Sequence, residues 1–363
     1  MNTCPKRMIN GPCGGYRGTI CEDDRLKCVW ILAYYSAMER GSLGKMFQLK
    51  LDPGFRVSRY RPVVKRSRGV VDRILSGRTA IIYEYTPKPY ASPENVVREL
   101  GEIVNIYHGV DFVDNPGGYP IPSSLPYAAL VKNIYRSLHV SIQITARNKD
   151  RNQVVSDVLA ASLAGLDAIV ATTGDLQAGE RGVWDLDASR IIYLARLVLD
   201  LGIDHMGRRV GIGGEGVIIA ASINANAEPL EPEILKIRVK MDAGAELFIT
   251  QPVFDVNRFR FYQKLLGEKL GNSAEIPTMV GIIPITSRKV LQFFETKVGI
   301  KIPEKISMEI KRDRIDRDAL IKANLDTIEK IVKEINHSSY YISAFGDNRL
   351  GVEIAKIVRG VIG

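Results

Sequence analysis

This sequence of 363 residues predicts a closed α/β fold: a (β/α)8 barrel of parallel strands carrying a small N-terminal four-cysteine metal-binding domain. Three observations predict it. Eight short apolar runs recur between residues 80 and 345, stretches with helical apolar spacing separate them, and all four cysteines fall within the first 28 residues. Strict alternation of strands and helices implies parallel strands joined by crossovers. Eight such units in roughly 285 residues suit the TIM-barrel arrangement better than an open sheet. A doubly wound sheet is the runner-up, and only the count argues against it.

The elements are read in chain order. Residues 1–45 hold the cysteines and then CVWILAYYSAM at 28–38, the longest apolar stretch. It is well short of the roughly 20 residues that span a bilayer, and the acidic EDD before it is the wrong flank for a signal peptide. A cytoplasmic protein with no membrane span is expected. The 45% hydrophobic and 25% charged composition is that of an ordinary globular chain with a large core.

Residues 46–77 read as a basic linker. Between positions 45 and 78, ten Lys or Arg stand against Asp52 and Asp72, a net +8 in a chain of formal charge +9. Such a run stays solvated or attracts a polyanion, an acidic protein or nucleic acid. No aromatic-interleaved platform accompanies it, so nucleic acid is the weakest of these.

The barrel is placed at 78–363. Its strands are read as AIIYEY (80–85), GVDFVD (109–114), VSIQIT (140–145), DAIVAT (167–172), GVIIAAS (216–222), ELFITQ (246–251), TMVGIIP (278–284) and YYISAF (340–345). Between them, stretches such as NVVRELGEIVNIY, QVVSDVLAASLAGL and EILKIRVKMDAGA repeat apolar residues three and four apart, the mark of one helix face. GIGGEG at 211–216 satisfies the G-x-G-x-x-G pattern, but a β-branched run follows it where the dinucleotide fingerprint needs a helix. It reads as a loop into the fifth strand.

In a barrel of this kind the reacting groups sit at the C-terminal ends of the strands. There the sequence places Glu84, Asp114, Asn115, Gln143, Thr145, Thr172, Thr173, Gly174, Asp175, Asn224, Asn226, Thr250 and Gln251. Alternation puts Glu84 on the face of Ile82, pointing inward. A carboxyl in an apolar lining has a raised pKa suited to giving up a proton near neutral pH; a structural carboxylate paired with a buried cation is the other reading. Asp175 either holds the polar edge of a ligand or caps the next helix.

Cys4, Cys13, Cys21 and Cys28 are separated by eight, seven and six residues, matching neither a CxxC zinc knuckle nor the bacterial ferredoxin run. Disulfides are a poor account of cysteines in a cytosolic protein, and chance would scatter buried thiols along the chain. A four-thiolate metal site is the better reading. Zinc and a 4Fe-4S cluster both accept four thiolates, so the count leaves that choice open.

The succession IIYEYTP, ATTGD, LKIRVKMDAGAELFITQPVFD and VGIIPITS resembles the methylenetetrahydrofolate reductases across residues 78–363. The resemblance implies a flavin (FAD or FMN) in a barrel that reduces the methylene group of a methylene-tetrahydropterin, either methylene-tetrahydrofolate or an archaeal analogue, to methyl. It implies that Glu84 is the general acid, that Asp175 lies between flavin and pterin, that Gln251 binds pterin and that Lys240 contacts flavin, with Asp114, Gln143, Thr145, Thr173 and Gly174 around the cofactor. The arm, with its NGPCGG and CVW, resembles the domain found with ferredoxin-linked members, which implies a 4Fe-4S cluster and an acidic ferredoxin or partner redox subunit docking on the basic segment.

The sequence also departs from that pattern. Thr173 and Val239 stand where flavin-binding members commonly carry arginine, Gln143 replaces a histidine, and Arg288 takes the place of an aromatic stacking platform. Two classes of function are therefore expected to compete. One is a reductase receiving electrons through the arm or from NAD(P)H; the other is a non-catalytic accessory barrel of an electron-transfer complex with a structural zinc arm.

Overall fold

The computed structural model describes residues 4–63, 69–89, 91–177, 181–211, 216–271, 276–312 and 314–362. Eight parallel strands close into a barrel in sequence order: β1 (Ala80–Tyr85), β2 (Gly109–Phe112), β3 (His139–Thr145), β4 (Ala168–Thr172), β5 (Ile218–Ile223), β6 (Leu247–Pro252), β7 (Thr278–Ile282) and β8 (Ser339–Ser343). The ring is sealed where β1 pairs with β8, with Ile82 opposite Tyr341. All eight apolar runs are strands, with ends that differ by a few residues at most.

Alternation along each strand sorts the side chains into two cores. Ile81, Tyr83, Val110, Phe112, Ile142 and Ile169 face outward into the layer shared with the helices. Ile82, Val170, Ile218, Ala220, Leu247, Ile249 and Met279 face inward, and Val70, Val71 and Ile74 of the short helix Gly69–Leu75 join them from below. That helix closes the barrel floor with three apolar side chains, so the lower interior is packed. Toward the C-terminal ends the inward positions turn polar.

The segment expected as a linker is a strap. Phe47 and Phe55 are buried, Phe55 meets Tyr193 edge to face at 5.9 Å, and Asp52 receives Arg190 at 2.7 Å and Arg151 at 3.1 Å. Tyr60 reaches Asp200 at 2.6 Å. This strap explains the helix Ala188–Leu201, whose sequence ASRIIYLARLVLDL is apolar almost all round: the barrel covers one side and the strap the other, and a helix buried on all sides needs no polar face. Residues 46–63 thus pack against the barrel, while Lys45, Arg56, Arg59 and Arg61 project into solvent; Lys65, Arg66 and Arg68 of the basic run lie outside the described residues. In the GIGGEG loop, residues 212–215 lie outside the described residues; Gly211 and Gly216 on either side adopt positive φ, and β5 follows.

Candidate functional site

Glu84, Asp111, Ser141, Gln143, Tyr341 and Ser343 come together inside the upper barrel, from β1, β2, β3 and β8. The register sets Glu84 beside Asp111 on one side and Ser343 on the other. The Tyr341 hydroxyl lies 2.9 Å from Glu84 Oε2 and 2.6 Å from Asp111 Oδ2. The Gln143 amide donates to Asp111 Oδ2 at 2.9 Å and reaches Glu84 Oε2 at 3.5 Å, while the Ser141 hydroxyl donates to Asp111 Oδ1. Burial raises the pKa of Glu84 against hydrogen bonds from Ser343, Tyr341 and Gln143. Burial also pushes Asp111 up to about 6, with the neighbouring Glu84 charge adding to it. Among the described residues the partners of Glu84 are hydroxyls and an amide rather than a cation, which is not the ion-paired arrangement.

The opposite side of the mouth is built differently. Gly174, in the loop after β4, holds φ +84°, and a Cβ there would come within 2.4 Å of Thr145. Only glycine lets this backbone pass so close. Asp175 beside it is exposed at the mouth; desolvation by the surrounding protein raises its carboxyl against the attraction of Lys6. It does not cap the following helix; Asp187 does, accepting from the Arg190 backbone N–H.

Lys6, from the arm, donates to the Gly174 carbonyl at 2.6 Å and pairs with Glu22, which accepts from the Leu176 backbone N–H at 2.7 Å. Burial opposes the charge on Lys6, but Cys13, Glu22 and Asp175 hold its ammonium above the ordinary lysine value. The arm is stitched along the β5 loop as well. Asn224 donates to the Gly14 carbonyl at 2.9 Å, buried Lys236 to Pro12 at 2.8 Å, and Tyr16 to Pro229 at 2.8 Å.

The four cysteines are free thiols, and all four line one pocket with Pro5, Lys6, Lys27, Val29, Trp30 and Leu176. Burial pushes Cys13 up to about 12 and raises Cys21 and Cys28. Cys4, Cys21 and Cys28 feel one another electrostatically, whereas Cys13 chiefly feels Lys6 and Glu22. Among the described residues no three His, Cys, Asp or Glu side chains stand in position to hold a metal ion. The thiols surround one space without meeting at one point. Gly11 and Gly14 of NGPCGG turn the backbone there with φ of +105° and +93°, and the indole Nε1 of fully buried Trp30 has no hydrogen-bond partner among the described residues.

The remaining sequence candidates divide. Thr145 and Thr172 share a hydroxyl contact of 3.1 Å at the mouth, with Thr173 half-buried next to them and Gln251 half-buried at the end of β6. Asp114 is engaged by Lys149 at 2.7 Å, by the Thr145 backbone N–H at 3.0 Å and by Asn115 at 2.8 Å. Lys240 is buried on the helix Glu231–Asp242 and donates to the Ser222 carbonyl; burial, and then the Lys236 ammonium, bring it down to about 7. Asn226 holds the Pro252 carbonyl at 2.9 Å, and Arg288 bonds the Ile310 carbonyl at 3.1 Å. Asp111, Ser141, Tyr341 and Ser343 are the residues of this cluster that the sequence reading missed. The available signal was phase, since Asp111 alternates with outward Val110 and Phe112 just as Glu84 does with Tyr83 and Tyr85.

Among the described residues no helix is long and apolar enough to cross a membrane. Residues 70–346 match the family model described as methylenetetrahydrofolate reductase, and residues 1–53 match a second described as methylene-tetrahydrofolate reductase C terminal. The 5,10-methylenetetrahydrofolate reductase of Pectobacterium carotovorum subsp. carotovorum is 27% identical over 43% of this chain and 46% of its own length. Methylenetetrahydrofolate reductase (NADH) 1 of Arabidopsis thaliana is 24% identical over 70% of this chain and 44% of its own. The match thus spans about half the length of these curated relatives. A solved Clostridium thermocellum protein, described as binding two copies of 5-methyl-5,6,7,8-tetrahydrofolic acid, shares the fold at TM-score 0.58 and 15% identity, over 80% of this chain and 99% of that one.

Proposed function

Because the chain belongs to the methylenetetrahydrofolate reductase family, we propose that it reduces the methylene group of a methylene-tetrahydropterin to methyl, with Glu84 as the proton donor. The observation that carries the reading is Glu84 itself. It is an inward carboxyl of raised pKa, served by neutral donors, at the bottom of an open mouth. Protonating a ring nitrogen of the bound pterin makes the methylene carbon electrophilic, and an acid of this kind suits that step. Gln251 would bind the pterin from β6, and Asp175 would face it from the β4 loop.

Thr173, Gly174 and Asp175 would meet the polar edge of a flat redox group such as FAD or FMN. Asp114, Thr145 and Lys240 are already bonded within the fold, to Lys149, to the Asp114 carbonyl and to the Ser222 carbonyl, and would back that edge rather than touch it. A bound flavin would supply the hydride, and Thr173, Gly174 and Asp175 would hold its polar edge.

Cys4, Cys13, Cys21 and Cys28 would hold an iron-sulfur cluster, which supplies electrons one at a time. Two features support this reading. The four thiols line one shared space, and the buried Trp30 N–H in the same lining, without a partner among the described residues, is a donor of the kind cluster sulfurs accept. Leu176, next to Asp175, forms part of the pocket wall, so the arm and the mouth adjoin. Exposed Arg56, Arg59 and Arg61 on the strap are the proposed dock for an acidic ferredoxin.

The test is metal, sulfide and flavin analysis of protein purified without oxygen, followed by methylene reduction tried with reduced ferredoxin and with NADH. Iron and sulfide with ferredoxin-driven turnover supports the reading. Zinc without iron in a colourless, inactive protein overturns it in favour of an accessory barrel.

A further inference from the structure

Tyr341 presents one hydroxyl to two carboxyl groups. Its oxygen is 2.6 Å from Asp111 Oδ2 and 2.9 Å from Glu84 Oε2, and its single hydrogen can serve only one of them. With both carboxyls ionised, the other short contact would set a hydroxyl lone pair against an anion. With one carboxyl protonated, both contacts become hydrogen bonds, one donated by the carboxyl to the Tyr341 oxygen and one donated by the Tyr341 hydroxyl. The remaining donors are uneven. Asp111, fully buried, receives Ser141 on one oxygen and Gln143 at 2.9 Å on the other, whereas Glu84, only half-buried, receives Ser343 and, at the longer 3.5 Å, Gln143.

We propose that Glu84 and Asp111 hold a single proton between them across the Tyr341 hydroxyl, and that Asp111 is the positioning residue that keeps Glu84 charged with a proton. This rests on the reading of Glu84 as the proton donor. When Glu84 gives its proton to a bound base, its O–H bond breaks, an N–H bond forms on the base, and two carboxylates are left on one hydroxyl hydrogen. The pair takes a proton back from water at the mouth, which restores the starting state. The two groups therefore titrate together, and their steps belong to the pair. From the strands packed around Glu84, the titratable groups that face it are Asp111 and Tyr341; Ser141, Gln143 and Ser343 carry no charge. Tyr83, which also senses the Glu84 charge, points outward and bonds Asn348.

The experiment is an infrared pH titration of the buried carboxyl bands in the purified protein, with Glu84→Gln assigning the Glu84 signal. Asp111→Asn removes the like charge and should move the Glu84 step to lower pH by about one unit or more. Tyr341→Phe removes the shared donor and should move the upper step the other way. A Glu84 step that stays in place in Asp111→Asn, or moves in the same direction in both variants, overturns the proposal. Melting curves identify a variant that has failed to fold, and the other variant then decides. The alkaline limb of the reductase pH profile should follow the infrared shift. Opposed infrared shifts in a protein with no methylene reduction would support the shared proton and defeat the reductase reading.

Discussion

The two sides of the barrel mouth are made by opposite means. The carboxyl side, from β1, β2, β3 and β8, consists of side chains fixed on neighbouring strands and joined to one another at 2.6 to 2.9 Å. The thiol side is assembled by a separate arm lying against the β4 and β5 loops, held largely through backbone carbonyls at Gly174, Pro12 and Gly14. Strand-borne groups cannot shift without distorting the barrel, which suits a group that must meet a substrate atom at hydrogen-bond distance. A docked arm can order or loosen as a unit, which would suit the electron-passing role proposed for it.

Breaking each side should therefore have separate consequences. The largest effect is expected from Glu84→Gln, which keeps the shape and removes the acid: methylene reduction should fall by about 10²- to 10⁴-fold while metal and flavin content stay at wild-type levels. A co-loss of metal would show that the two sides are not independent. Cys28→Ser should do the converse, abolishing the metal and sulfide content and lowering ferredoxin-driven turnover by tenfold or more on the order of a lost cluster ligand, with the infrared titration of Glu84 and Asp111 unmoved.

Lys6→Ala probes the seam. It strands Glu22, only 10% exposed, without its partner, and removing one member of a buried pair costs about 3 kcal/mol or more. Hydrogen exchange should rise across residues 4–28 while β1, β2, β3 and β8 stay protected; uniform loosening would mean that arm and barrel unfold as one. The smallest effect is expected on the strap. Arg59→Glu with Arg61→Glu should leave the melting temperature within about a degree, because exposed charges contribute little to stability, yet weaken ferredoxin-driven turnover several-fold at low salt and less at high salt. Salt-independent turnover in both proteins would remove the strap as a dock.

What could be read from the sequence follows the same division. The strands were legible because an inward-outward alternation leaves a period of two, and Glu84 was placed by its phase with Ile82. Asp111 escaped because β2 is four residues long and the more obvious Asp114 follows it; its partner Tyr341 is 230 residues away, beyond any local pattern. The cysteines announced a shared site by their crowding, and they do line one pocket. Where that pocket would sit was hidden, because the carbonyls of Gly174, Pro12 and Gly14 that receive Lys6, Lys236 and Asn224 look alike in every sequence. Lys240 and Asp114 show a related effect: a polar residue near a mouth is readily engaged by the fold itself, through Ser222 or Lys149, and the sequence does not display that partner.

The short helix Gly69–Leu75 gives the whole arrangement its direction. With Val70, Val71 and Ile74 driven into the floor, the barrel is a well and not a tunnel. Whatever reaches Glu84 must leave by the opening through which it came, past the same rim on which the arm is seated. Traffic in and out then has a single lane, and a group docked at that rim stands where it can register whether the lane is in use.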